Sequence, residues 1–599
     1  MERVLLENAP HSAMAPSRYI LLTRVNRKIM KAFYRSLLLF LAIPLCAQSP
    51  PRIFFSDLES GPNTGGQNNN GVWVTIWGKG FGTERGRSTV TVGGGAARNY
   101  PVWSDSKITF QLGPAAKTGS IVVNVVLPKH AARNGDSKNR PSDPGKLASN
   151  GLPFTVRRGK IFFVATRGSD FKKGTFAAPW RTVLHAKDYM SAGDTTYIED
   201  GVVQNKEDSY TAYIAMDQNG GNNSGKPSAP KALVAYPGAA VTIGVAHGLE
   251  FGIRTPNIHA REDYWVISQL HIIGGRQAMD LSVTGWKIVG NQIECPGADG
   301  QVGCVEASQS SRIRFYGNDV HNAGRKPASS KFYHAVYFST DSNHIDVGWN
   351  HIHDNFTCRA VQFHSSPLCS PGCGASDQTG RDQFDLHVHD NLIHGDNCNG
   401  INFATVDPSN GTVEAYNNVI YHVGVRDPLE SGGASSCIYL AGLTNHGHAG
   451  SGAVEIFNNT LYDCAANSSP KTEGSRGAVS VGGGPASLVL RLRNNIIYQL
   501  PGEIYLDGNR SQITGERNLW FGLGDAPSQT VNNVNSDPQF VNPAVFDFHL
   551  SGASPAREAG ASVLPNNPFV FGAGQPTDKD GIARPQTKGF SLGAYEVQQ

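Results

Sequence analysis

Charge is scarce in this chain. Asp, Glu, Lys and Arg make up 17% of its 599 residues, the net charge is +3, and no basic run stands out. That argues against nucleic acid as a partner. No apolar run is long enough to span a bilayer, the stretch Leu37 to Leu45 being far short of that. No CxxC pair with zinc-site spacing occurs among the 9 cysteines, which favours disulfides over metal. What the chain does have is glycine, 68 of them, with 39% apolar residues. A folded, turn-rich β architecture in two or more domains follows.

Residues 1–47 read as a signal peptide with an extended N-terminus. Lys31 and Arg35 precede the apolar run, and Cys46-Ala47 offers a small residue at the cleavage point. No membrane span is expected. Once Cys46 is removed, eight cysteines remain, an even number in an exported chain. The expected location is secreted, extracellular or periplasmic, and the expected state a monomer.

Residues 48–157 hold short alternating runs, "STVTVGG" (88–94), "KITFQL" (107–112) and "SIVVNVVL" (120–127), separated by Gly, Pro and Ser. They predict a small β-sandwich. With Thr75-Ile76-Trp77-Gly78-Lys79-Gly80-Phe81-Gly82 and the closing "NGLPFTV", this unit resembles the IPT/TIG immunoglobulin-like family, which implies a spacer or binding module.

From residue 160 one element keeps returning. "GNQI" (290–293), "WNHI" (349–352), "DNLI" (390–393) and "NNII" (494–497) are four of eight copies, with Asn at 291, 318, 350, 391, 418, 459, 495 and 518. Spacings of 23 to 41 residues around a constant core mean stacked coils with variable loops. Asn suits a left-handed bend, and its amide can bond to its neighbours along the stack. A second strand recurs between these elements, as in "AVYFS" (335–339), "AVQFH" (360–364) and "GINFA" (400–404), with inward apolar residues at alternate positions. At least eight coils follow, roughly 35–40 Å of solenoid. The opening "KIFFVATRGSD", a short helix near Thr182 to Met190 and "AGDTTYIEDG" resemble the N-terminal cap of secreted right-handed parallel β-helix proteins, the pectate-lyase-like superfamily. The expected fold is all-β: a right-handed parallel β-helix solenoid over 160–599 preceded by a small Ig-like β-sandwich. Its N-terminal cap is expected at 160–245 and its C-terminal closing segment at 530–599.

This register makes the outward positions readable. Asp280, Glu306, Tyr337, Gln362, Asn402 and Tyr439 fall in one column, with His364 two residues after Gln362. His334 and Arg359 come just before their strands, and Lys331 lies in the preceding loop. Such a face could lie along a polysaccharide, with Tyr337 and Tyr439 stacking on sugar rings. The superfamily resemblance implies a lyase chemistry in which a base removes the proton beside a uronate carboxylate that a cation neutralises. Candidate catalytic residues are Lys331, His334, Tyr337, Arg359, Glu306 and His364; candidate substrate-binding residues are Asp280, Gln362, Asn402 and Tyr439. A glycoside hydrolase remains open, because Asp280 and Glu306 are paired carboxylates on neighbouring coils. So does a non-catalytic glycan-binding or adhesin-type protein.

No cofactor is required by any motif, although the Asp-rich stretch 377–396 could hold Ca2+. His321, His353 and His394 stack three residues after their Asn and read as structural. The column Lys287, Arg314, Asp346, His387, Glu414, Glu455 and Arg491 reads as a salt-bridged solvent face. Expected disulfides are Cys358–Cys398, which precede equivalent strands, Cys295–Cys304, Cys369–Cys373 and Cys437–Cys464.

Overall fold

The computed structural model describes residues 50–127, 145–218, 220–256, 262–326, 330–365, 383–395, 398–424, 435–443, 450–465, 476–568, 576–586 and 588–597. The expected signal peptide and Cys369–Cys373 lie outside them.

The described residues between 52 and 156 build two mainly antiparallel sheets. One orders the strands 52–56, 73–79, 107–111 and 98–103; the other centres on 152–156, 119–126 and 89–92. Alternate residues point into the space between them, so Val74, Ile76, Ile108, Phe110, Val90, Ile121 and Val123 are all fully buried. This is the sandwich that the short alternating runs predict.

From Ile161 onward the pairing is parallel. Among the described residues, strands collect into three sheets of 13, 11 and 10, each coil giving one strand to each sheet in turn. The coil at 265–281 shows the pattern: Trp265–Ser268 joins the first sheet, His271–Ile273 the second and Gln277–Leu281 the third. The solenoid is therefore a parallel β-helix. At about 4.8 Å per strand its first sheet is roughly 58 Å long. It exceeds the expected length because coils begin well before Asn291. Residues 195–243, expected as part of a cap, already contribute strands to all three sheets. The helix Val183–Tyr189 lies at that end, with Thr182 Oγ1 accepting from the His185 N–H as its N-cap. Among the described residues no helix is long and apolar enough to cross a membrane.

The repeated Asn residues form one unbroken ladder at the corner between the first two sheets. Each Oδ1 accepts both the backbone N–H and the Nδ2 of the Asn one coil earlier. Asn350 N and Nδ2, for example, both reach Asn391 Oδ1 at 2.9 Å. Asn391 then repeats this on Asn418 at 3.1 and 3.0 Å, while its Nδ2 also donates to the Val347 carbonyl at 2.9 Å. The left-handed residue is not the ladder Asn, contrary to expectation. It is the residue before it: Gly290, Gly317, Trp349, Asp390, Asn417, Asn458, Asn494 and Arg517 all have positive φ. The bend is made there, and it turns the following amide into the corner.

Three predicted disulfides form: Cys295–Cys304, Cys358–Cys398 and Cys437–Cys464, with Cα separations of 5.7, 4.7 and 5.5 Å. The expected salt-bridged solvent face holds only at its far end, where exposed Arg491 pairs with Glu455 at 2.6 Å. The column from Lys287 to Arg491 is in register, but Lys287, Asp346, His387 and Glu414 are buried. The sandwich covers one part, where Glu59 accepts from Lys287 at 2.6 Å and Arg314 at 2.5 Å. These two cations hold the Glu59 carboxyl down at about 2 despite its burial. The C-terminal segment covers another part. It runs along the outside of the solenoid, with Asn566 donating to Glu414, Asn567 to Asp346 and Lys579 to the Asp390 carbonyl. At Asp580 it meets Lys79 of the sandwich. It straps the coils together along their flank.

Asn391→Ala tests the ladder. It strands the Asn350 donors and the Val347 carbonyl inside the corner, each at about 1–3 kcal/mol. The urea unfolding midpoint of the variant should fall well below that of the wild type.

Candidate functional site

The third sheet carries the predicted column. Cα pairing runs Asp280–Glu306–Tyr337–Gln362–Asn402–Tyr439, and beside it His334–Arg359–Asn399. Behind them Val305, Val336, Val361 and Ile401 fill the core, and Phe338, Phe363 and Phe403 stack at 5.4 and 5.6 Å. That apolar stack fixes the backbone from which the polar side chains project.

A groove of about 330 Å³ opens on this sheet, lined by His334, Tyr337, Arg359, Gln362, His364, Asn402 and Tyr439 together with Gln301, Phe332 and Leu443. Seven of the ten candidate site residues are thus brought together. Lys331, Glu306 and Asp280 are not in the lining. Lys331 turns its ammonium over the Phe332 ring and offers the site only its carbonyl. Asp280 is ion-paired with Arg254 at 3.0 Å. Glu306 accepts from Ser339 Oγ at 3.0 Å and from Gln277 Nε2 at 3.2 Å. Gln301, Phe332 and Leu443 carry no strand-register signal, being loop residues whose place depends on how the loops fold back.

Arg359 dominates the electrostatics. Its Nη1 donates to the Lys331 carbonyl at 2.7 Å, its Nε has no partner, and among the described residues it makes no ion pair. Burial lowers its pKa to about 10, so it stays charged at neutral pH. Burial first and then the Arg359 charge lower His364 to about 4, and they hold His334 well below its ordinary value. Both imidazoles are neutral bases there. The Tyr337 hydroxyl lies 3.0 Å from His364 Nδ1, and the Tyr337 ring meets His334 edge-on at 5.1 Å. Gln362 Oε1 accepts from Asn402 Nδ2 at 2.7 Å. Several buried polar atoms here have no partner: His334 Nδ1, Arg359 Nε, both amide atoms of Asn399, and Asn402 Oδ1. Buried polar groups seldom go unsatisfied, so this concentration points to ligand or water.

Of the stretch expected for Ca2+, residues 377–382 and 396 lie outside the described residues. Asp385 is engaged by His344 and His387, and Asp390 by His389 at 2.7 Å. The described carboxylates of this stretch, Asp385 and Asp390, are thus both engaged by imidazoles.

Glu306 gives a test of these electrostatics. Burial first, and then the neighbouring Asp280 charge, raise it to about 7. The folded state thus holds this proton more tightly than the unfolded chain, and stability is lost as pH rises from about 4.5 to 7. Glu306→Gln should therefore gain thermal stability over the wild type as pH goes from 5 to 8. A melting difference that did not change with pH would contradict the shift.

Residues 59–140 match the IPT/TIG domain family. No curated protein is similar in sequence. Among solved structures, XylC with xylose is similar at TM-score 0.42 and 11% identity, covering 72% of this chain and 98% of that one. The pectate lyase Pel9A is similar at TM-score 0.41 and 14% identity, covering 74% and 96%. An alginate lyase from Paenibacillus sp. str. FPU-7 is similar at TM-score 0.31 and 13% identity, covering 59% and 95%.

Proposed function

We propose that this protein is a polysaccharide lyase that cleaves an acidic, uronate-containing glycan by β-elimination in the third-sheet groove. The observation that carries this reading is Arg359: a half-buried side chain with an enclosed, unpartnered Nε and no carboxylate partner among the described residues, facing a groove. Keeping a charge there uncompensated is costly unless a ligand supplies the anion. A guanidinium fork matches a planar carboxylate, which selects a uronate over a neutral sugar.

With the uronate carboxylate on Arg359, negative charge that develops beside it on proton removal is stabilised where it forms. Tyr337 takes the C5 proton while its own proton moves along the 3.0 Å hydrogen bond to the His364 imidazole, in one concerted step with no imidazolium formed beforehand. The C5 electron pair becomes the C4–C5 double bond as the C4–O4 bond breaks. The leaving oxygen takes a proton from Tyr337. Neutral His334 sits beside Arg359 and adds no competing charge. Gln362, Asn402 and the Tyr439 ring provide donors, acceptors and a stacking face for flanking sugars. Lys331 has no part in this scheme, since its ammonium is turned toward Phe332.

The test is purified protein against a panel of uronate polymers, read by the ultraviolet absorbance of the new conjugated double bond. Arg359→Ala should lower kcat/KM by about 10²–10³-fold, as loss of one charge-stabilising group does. Tyr337→Phe should abolish turnover while leaving polymer binding. Reducing ends released without that absorbance would replace this reading with hydrolysis by Asp280 and Glu306. Binding with no cleavage would replace it with a glycan-binding role.

A further inference from the structure

The second sheet carries a different constellation. Its strands alternate, so the two outward positions of each form adjacent columns. One runs Gln292–Asp319–His351–Leu392 and the other His321–His353–His394–Tyr421. Four imidazoles and a carboxylate therefore meet on three neighbouring coils. The spacing from each Asn shows the second column alone; His351 joins because it shares a face with His353, two residues on.

We propose that His351, His353 and His394 bind one divalent transition-metal ion, of the Zn2+ class, on the outer face of the second sheet. One ligand nitrogen from each of the three lies within 4.8 Å of the others. His351 Nε2 and His394 Nε2 face each other at 2.9 Å. Two imidazole nitrogens on a tetrahedral zinc stand about 3.3 Å apart, given Zn–N bonds of about 2.0–2.1 Å. A small outward turn of either ring reaches that spacing. The rings of His351 and His353 stack at 3.9 Å, and those of His353 and His394 at 5.2 Å, so the donors are held together before any ion arrives.

The surroundings match what metal-binding imidazoles need on their far side. A ligating His commonly donates its other N–H to a carboxylate, which fixes the ring. His351 turns Nδ1 toward Asp319 Oδ1, 3.9 Å away. His353 has Asp319 at 2.9 Å on Nε2 and Asp354 at 2.8 Å on Nδ1, so either nitrogen can turn to the metal while the other keeps a carboxylate. His351 is 40% exposed, which leaves room for an ion and its remaining waters. A donor set of imidazoles selects Zn2+, Cu2+ or Ni2+ over Ca2+ and Mg2+, which require oxygen. Asp319, His321 and His353 form a second triad close by. It is the weaker choice, because Asp319 is already the shared partner of His353, and His321 lies 3.4 Å from Glu294.

The experiment is zinc titration of the untagged full-length protein by isothermal calorimetry, with Co2+ substitution read by its visible absorption. Expected are about one Zn2+ per chain and a tetrahedral Co2+ spectrum with nitrogen ligands. His351→Ala and His394→Ala should each abolish both signals, and Asp319→Asn should weaken binding by about 10–100-fold. His321→Ala should leave the stoichiometry unchanged. Circular dichroism and melting curves of each variant establish that it is folded; a variant that fails this check is replaced by the Gln substitution at the same position. No stoichiometric Zn2+ on the wild type would overturn the proposal. So would loss on His321→Ala with retention on His351→Ala, which would place the ion on the other triad.

Discussion

Everything in the solenoid depends on coils remaining in register along one corner. Parallel strands supply backbone hydrogen bonds, but those bonds alone would permit a slip by two residues with the inward face preserved. The Asn ladder removes that freedom. Each amide fits two donors and an acceptor on its neighbours, and a slip would break all of these inside a buried corner. Loop lengths can then vary freely, from 23 to 41 residues between successive Asn, without disturbing the stack. The αL residue just before each Asn accepts a conformational cost, borne by Gly or Asn at five of the eight coils and by Trp349, Asp390 and Arg517 at the other three.

Fixed register has consequences on all three faces. On the third sheet it aligns Arg359 with His334 and Tyr337 with Gln362. On the second it brings His351, His353 and His394 together. On the first it stacks charges of mixed sign, and there the chain adds a cover. The sandwich supplies Glu59 as the acceptor for Lys287 and Arg314, and Phe55 packs on Trp77, Tyr316 and Trp349 at 5.0 to 5.5 Å. The C-terminal strap then reaches from the last coils back to Lys79 of the sandwich. The IPT/TIG-like unit is thus part of the solenoid's flank in this molecule, where the family resemblance alone implies a spacer or binding module.

Much of the site was legible because β-structure is so regular. Once period-2 alternation and the repeated Asn set the frame, Tyr337, Gln362, Asn402 and Tyr439 had to share a column. Arg359 and His334 had to be neighbours one position off it. Legibility stopped at the loops. Lys331 looked equivalent to Arg359 by composition, yet its side chain turns onto Phe332; Gln301 and Leu443, which wall the groove, gave no sign at all.

The sequence by itself determined two recurring strands per coil, their inward residues and the pairing of Cys358 with Cys398, because each follows from a local period repeated on the next coil. Tertiary structure alone decided which outward residues face water. Lys287 is buried by Glu59, 228 residues earlier in the chain, and Asp346 is covered by Asn567, 221 residues later. A repeat fixes what lies above and below a residue within one stack. It carries no record of a distant segment that folds back over it, and desolvation of a charged column depends on that segment.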